Sequence, residues 1–274
     1  MSVLTTMYAE YCRVNPAFRK FTRRGMYQFL ARQYRKQDWT FMNYGYASLE
    51  PQCAVLSLDK EDEPDRYSIQ LYHHVANAAP LAGKDVLEVG SGRGGGSNYI
   101  HSYLDTRTMV GLDFSSQAVD FCQRTHCLEG LSFVAGDAEC LPFADDRFDV
   151  VVNVESAHCY SSMDAFMAQV KRVLRPGGHF LCADFRASAH VDELYEQLHR
   201  SGLTMIQDED ITANVVKARD LDHSQRMVFI RNRAPRWLVK PISEFGGLKG
   251  SRIYRQFRAR EVVYKRFALQ KPVE

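Results

Sequence analysis

The most constraining feature of this 274-residue chain is a glycine run, Gly90-Ser-Gly-Arg-Gly-Gly-Gly96, that follows directly on the apolar stretch Asp85-Val-Leu-Glu-Val89. A strand that breaks into glycines and resumes with helical spacing to about Leu104 must turn sharply and bare its main chain. Glycine alone reaches left-handed backbone without a side-chain clash. Such a turn marks the carboxyl end of a strand as a place where a ligand meets backbone, the position used by open α/β sheets. Asp113, at the tip of the next strand Met109-Val-Gly-Leu-Asp113, is then an acid suited to accept a pair of ribose hydroxyls.

The pattern repeats downstream. A helix is predicted over Ser116–Cys127, a third strand over Leu131–Ala135 and a fourth over Phe148–Val154. A helix over Met163–Leu174 stops at Arg175-Pro-Gly-Gly178 before a fifth strand, His179–Asp184. Strands alternating with helices predict an α/β, Rossmann-like, doubly wound and mostly parallel seven-stranded sheet, with helical lid elements at both ends. Upstream, Pro16–Trp39 reads as an amphipathic helix carrying Phe18, Phe21 and Phe29, and Arg66–Ala79 as a second helix. Beyond the fifth strand, the expectations are a helix over Val191–Arg200, a strand over Ile211–Val216, a basic helical stretch and a final strand near Val262–Leu269. A composition 45% hydrophobic suits one large core rather than two domains. The chain is therefore read as one domain: a helical lid (1–80), a ligand-binding core (81–205), and terminal strands with a helical acceptor-site insertion (206–274).

The seven cysteines never fall in CxxC spacing, which argues against a disulfide framework or zinc site. His73, His74 and His223 fit no metal spacing either. No leader-like segment or bilayer-length apolar run is evident, so a cytoplasmic location is expected. The net charge of +2 hides an asymmetry. Residues 13–37 carry eight Lys/Arg and no acid, and residues 226–266 carry twelve against Glu244 and Glu261. These ends are read either as solvated lid surfaces or as contacts for an anionic membrane or an acidic carrier protein bearing an acyl substrate. Without a recognition motif, the charge does not point to nucleic acid.

Alone, the Gly90-x-Gly92-x-x-Gly95 spacing fits a dinucleotide site equally well. The ordered set that follows it is more restrictive: Glu88 within the first strand, Asp113-Phe114, then Gly136-Asp137-Ala138-Glu139, Asn153 at the end of strand four, and the Arg175-Pro-Gly-Gly178 stop. This set resembles the class I S-adenosylmethionine-dependent methyltransferases over about a hundred residues. The resemblance implies that Gly90 and Gly92 line the methionine portion of S-adenosyl-L-methionine. It further implies that Asp113 binds the ribose, Asp137 with Ala138 meets the adenine and Asn153 lies at the amino end, and it counts Glu88 and Phe114 among the cofactor-binding residues.

Methyl transfer to a hydroxyl needs a base, and a neutral histidine at the carboxyl edge of the sheet suits that role. His158, in Glu155-Ser-Ala-His158-Cys-Tyr160, is the candidate, with Asp184 placed to orient it or to bind the acceptor. That segment is similar to ones bordering the acceptor in sugar O-methyltransferases and sterol C-methyltransferases. Asn43-Tyr-Gly-Tyr46 resembles an aromatic motif those families fold over the cofactor, which makes Tyr46 a candidate wall and gate. The features Asp62-Glu-Pro-Asp-Arg66, Leu71-Tyr-His73, His158-Cys-Tyr160 and Leu174-Arg-Pro-Gly-Gly178 resemble the mycobacterial phthiotriol/phenolphthiotriol dimycocerosate methyltransferases. This implies O-methylation of a large apolar lipid or polyketide. The chain departs from that family at Gly90-Ser91 and after Asp184. Carbon methylation, a nicotinamide-dependent oxidoreductase and a non-catalytic binding protein stand as alternatives.

Overall fold

The computed structural model describes residues 39–50 and 56–273. The expected helix before Trp39 lies outside the described residues. Seven strands form one sheet: β1 (Asp85–Val89), β2 (Thr108–Asp113), β3 (Leu131–Ala135), β4 (Phe148–Val154), β5 (Leu174–Ala187), β6 (Thr204–Asp210) and β7 (Val262–Gln270). Their order is β3-β2-β1-β4-β5-β7-β6. Only β7 runs against its neighbours, entering between β5 and β6. Eight helices accompany them among the described residues: α1 (Arg66–Ala76), α2 (Gly95–Tyr103), α3 (Ser116–Thr125), α4 (Met163–Val173), α5 (Val191–Arg200), α6 (Thr212–Arg233), α7 (Arg236–Phe245) and α8 (Arg252–Arg258). None is both long and apolar enough to cross a membrane.

Strand side chains alternate between two apolar layers, as the two-residue period of a pleated strand requires. Val86, Val150 and Val152 face Ile69, Val75 and Ile100 of α1 and α2. Leu87, Val89 and Val151 face Phe166, Met167 and Val170 of α4 and Leu194 and Leu198 of α5. Both faces of the central strands are buried, so β1 after its opening Asp85 reads as an apolar run broken by Glu88. Ser115 and Ser162 start α3 and α4 by accepting the Ala118 and Ala165 amides, a cap worth ~1 kcal/mol.

Two expectations are corrected. Ile211–Val216 is not a strand: residue 212 opens α6, and β6 is the preceding Thr204–Asp210. The Asp210 carboxylate accepts both the amide and the hydroxyl of Thr212. Ile211, Val215 and Ala218 are fully buried at helical spacing, so tertiary packing outweighs the β-branched composition. The helix expected through Leu174 stops at Val173, and the Arg175-Pro-Gly-Gly178 run lies within β5 rather than between helix and strand. Strand pairing resumes at Leu174, with a register irregularity opposite Phe148 and Val150.

At the amino end of β1, the buried Asp85 carboxylate accepts Arg107 at 2.6 and 2.9 Å, Thr108 at 2.7 Å, Arg147 at 2.9 Å and Arg175 at 3.0 Å. Hydrogen bonds from Arg107 first, then Thr108 and Arg175, hold its pKa well below the ordinary 3.8 despite burial. A depressed carboxylate pKa gives stability that is present above the ordinary value and is lost in acid. Asp85→Asn should lower the unfolding free energy in urea by about 1–3 kcal/mol at neutral pH. The gap from wild type should narrow as the pH drops below 3.8.

Candidate functional site

The turn after β1 is held from behind. The amides of Gly90 and Ser91 both donate to the Leu112 carbonyl, at 2.7 and 3.0 Å. Gly90 has φ +81°, and a Cβ there would fall 1.9 Å from Ser156 Oγ, so glycine is required twice over. The Gly92 amide donates to Asp113 Oδ2 and the Ser115 amide to Asp113 Oδ1, each at 2.8 Å. These two bonds orient the carboxylate and leave it lone pairs for further donors. Burial raises its pKa against the pull of the same two amides.

A cavity of about 280 Å³ opens beside this turn. Gly90, Ser91, Gly92, Asp113 and Phe114 form one wall, continued by Asp137 and Ala138. Trp39 to Tyr44 form a strap along it, and Glu155, His158, Tyr160 and Phe185 complete the lining, with Tyr160 Oη 3.1 Å from where a Cβ on Gly90 would lie. Eight of the eleven site residues singled out in the sequence thus gather at one place. Seven line the cavity; Asp184 stands behind His158.

The other three do not line it. Glu88 is fully buried beneath the turn, where Tyr72 donates to it at 2.7 Å and Ser97 also bonds to it. Burial pushes its pKa to about 7 against those two hydrogen bonds. Asn153 is likewise fully buried, donating to the Val89 carbonyl and to Tyr160 Oη. Tyr46, expected as wall and gate, instead stacks on His74 with ring centroids 4.1 Å apart. Tyr44, two residues earlier, lines the cavity. Gly45, between the two tyrosines, has a left-handed φ of +75°.

His158 Nδ1 lies 2.8 Å from Asp184 Oδ1, and the His158 amide donates to Asp184 Oδ2 at 2.7 Å. Burial disfavours the charged imidazole, but the Asp184 carboxylate outweighs it and lifts the His158 pKa to about 10. Asp184 itself is held well below the usual carboxylate range: burial would raise it, but His158 and Arg186, the latter 3.1 Å away, prevail. His158 packs on Phe185, with centroids 4.4 Å apart.

Glu155, not singled out by its sequence, is a further residue of the site. Its Oε1 accepts the Tyr44 amide at 2.6 Å and Tyr264 Oη at 2.9 Å, tying the strap to the sheet. Burial raises its pKa to about 7, against the Tyr44 and Tyr264 hydrogen bonds. Its φ of +49° is a left-handed conformation that a non-glycine side chain adopts at a cost. The clue was available: Glu155 leaves the same strand end that singled out His158.

The donor set suits S-adenosylmethionine. Glycine main chain at Gly90 leaves no space for a side chain, Asp113 offers a positioned acceptor, and Phe114 and Ala138 supply apolar wall. The buried Ser91 Oγ, on the cavity wall, has no hydrogen-bond partner among the described residues, and a bound polar group would satisfy it.

Residues 87–182 match the family model described as a methyltransferase domain. The chain is 39% identical to a fatty-acid O-methyltransferase of Mycolicibacterium smegmatis, covering 91% of this chain and 89% of that protein. It is 35% identical to a phthiotriol/phenolphthiotriol dimycocerosates methyltransferase of Mycobacterium leprae, covering 94% of each. Among solved structures, a [4+2]-cyclase named SpnF superposes with a TM-score of 0.65 at 18% identity, over 85% of this chain and 89% of that one. Gly90→Ala should weaken S-adenosylmethionine binding at least tenfold in calorimetric titration, since the added methyl collides with Ser156. Asp113→Ala should cost about 10- to 100-fold, the range for a hydrogen bond to a charged group.

Proposed function

This chain belongs to the S-adenosylmethionine-dependent methyltransferases, and on that premise we propose that it methylates an oxygen of a large apolar lipid- or polyketide-type acceptor in secondary metabolism. The observation that carries the reading is the His158–Asp184 pair: His158 lines the cavity and packs on Phe185, whose ring in turn meets Tyr44. The names of the fatty-acid and dimycocerosate relatives support an apolar acceptor.

When bound, S-adenosylmethionine supplies a methyl group on a positively charged sulfur. The main chain of Gly90–Gly92 and the Asp113 carboxylate hold it, with Phe114, Asp137 and Ala138 along the remaining wall. Tyr44 and Phe185 exclude water at the acceptor end, and alignment in a dry pocket provides much of the acceleration. With Nδ1 committed to Asp184, His158 takes the acceptor hydroxyl's proton at Nε2. Asp184 fixes the tautomer and stabilises the imidazolium that forms. The helices within 206–274 close the acceptor side, and the strap from Trp39 acts as the lid.

The raised pKa of His158 favours a second reading. An imidazolium is a poor base but a good partner for a carboxylate, which needs no deprotonation before it is methylated. The two acceptors predict opposite pH behaviour. With a hydroxyl acceptor, kcat/KM, which reports the unliganded enzyme, should climb with pH until His158 loses its proton near 10. With a carboxylate acceptor it should be level through neutrality and fall above that value. Asp184→Asn, by removing the charge that raises His158, should move either inflection to lower pH. His158→Ala should lower kcat about 10²- to 10⁴-fold for a hydroxyl and chiefly raise KM for a carboxylate. A pH profile untouched by both substitutions would remove His158 from the chemistry.

A further inference from the structure

The basic stretch near the carboxyl end has a structure of its own. α6 and α7 close on one another through a small apolar cluster centred on Ile230, Ile242 and Leu248, apart from the two layers on the sheet. The opposite face of α7 carries Trp237, Lys240, Pro241 and Glu244, all exposed and spaced as one helical face. Trp237 is 73% exposed. The outer row of α6 carries Leu221, Val228 and Arg231, also exposed. From Arg226 to Arg260 the chain has ten Lys/Arg against the single acid Glu244. Lys249 and Arg260 are answered by Asp220 and Asp210. Among the described residues, Arg231, Arg236 and Lys240 form no ion pair.

This lobe borders the acceptor end of the cavity. A Cβ at Gly247, in the turn after α7, would lie 2.6 Å from the Tyr44 ring. Phe257 of α8 meets the same ring edge-on at 5.6 Å, and Tyr44 lines the cavity.

We propose that the outer face of α6 and α7 docks on an anionic phospholipid surface, with Trp237 at head-group level and Arg231, Arg236 and Lys240 against the phosphates. An exposed indole flanked by unpaired cations is the composition of an interfacial helix, where the ring has an apolar body to bury and an N–H to leave wet. An acidic carrier protein would answer the charge but gives no reason for so exposed a tryptophan. The purpose of the contact rests on the reading of an apolar acceptor, which a bilayer would hold. The contact itself is read without acceptor or turnover, so either claim can fail alone.

The full chain has two tryptophans, Trp39 and Trp237, so Trp39→Phe leaves Trp237 as the sole indole reporter. With vesicles of phosphatidylglycerol and phosphatidylcholine its emission should shift to the blue, and the protein should sediment with them. Vesicles of phosphatidylcholine alone should do neither. In the otherwise native chain, Arg236→Glu with Lys240→Glu should weaken vesicle binding at least about tenfold, as expected for two surface cations, and Trp237→Ala should weaken it further. A S-adenosylmethionine titration on each variant reports whether it is folded. The proposal is overturned if anionic vesicles leave Trp237 emission unchanged. It is also overturned if the folded variants bind vesicles like wild type, or if the face binds a purified acyl carrier protein and no vesicle.

Discussion

Two hydrogen bonds hold the site in place: the Gly90 and Ser91 amides donating to the Leu112 carbonyl. They fasten the turn after β1 to the end of β2, so that the next amide, from Gly92, reaches the Asp113 carboxylate. An acid at a strand tip is ordinarily a solvated side chain. Here two backbone amides fix its direction, and a fixed acceptor loses less freedom when a ligand arrives. The bareness of Gly90 follows from the same fastening, because the pinned turn runs against Ser156.

The acceptor end is built on a different principle. Its polar groups sit within apolar packing and are paired there: His158 with Asp184, and Glu155 with Tyr44 and Tyr264. Unpaired, each would carry a heavy desolvation cost. Paired, each fixes one element against another. Asp184 lies in β5 one residue past the partner of Val154, the last residue of β4, and His158 follows β4, so their contact fixes the segment after β4 against β5. Glu155 ties the strap, a segment more than a hundred residues distant in sequence, to the same strand end. Its left-handed backbone, costing about 1–3 kcal/mol, lies beside the candidate chemistry rather than on a remote surface.

The parts legible in the sequence were those that local chemistry dictates. The glycine turn was visible because left-handed backbone excludes other residues, and β1 and β4 because both faces are buried and the strands read as apolar runs. β6 was not visible. Thr204-Met-Ile-Gln-Asp-Glu-Asp210 lies at the edge of the sheet, is largely exposed and lacks a strand's alternation, whereas the more strand-like Ile211–Val216 turns into helix. Tyr44 and Tyr46 were equally plausible wall residues on composition. What separates them is the hydrogen bond from the Tyr44 amide to Glu155 and the stacking of Tyr46 on His74, both contacts between distant parts of the chain. Glu88 and Asn153 carry motif positions, yet they support the turn from beneath rather than facing the cavity. Motif membership alone does not distinguish a supporting residue from a lining one.

A fold shared with a [4+2]-cyclase does not fix the reaction, so the position of the transferred methyl is the decisive quantity. The direct measurement is carbon NMR of the product formed from S-adenosylmethionine labelled with carbon-13 at its methyl group, using long-chain hydroxylated and carboxylated lipids as acceptors. A labelled resonance in the range of methyl carbons bonded to oxygen is the result expected. A methyl bonded to carbon, or no labelled product from a protein that binds the cofactor tightly, would contradict the account.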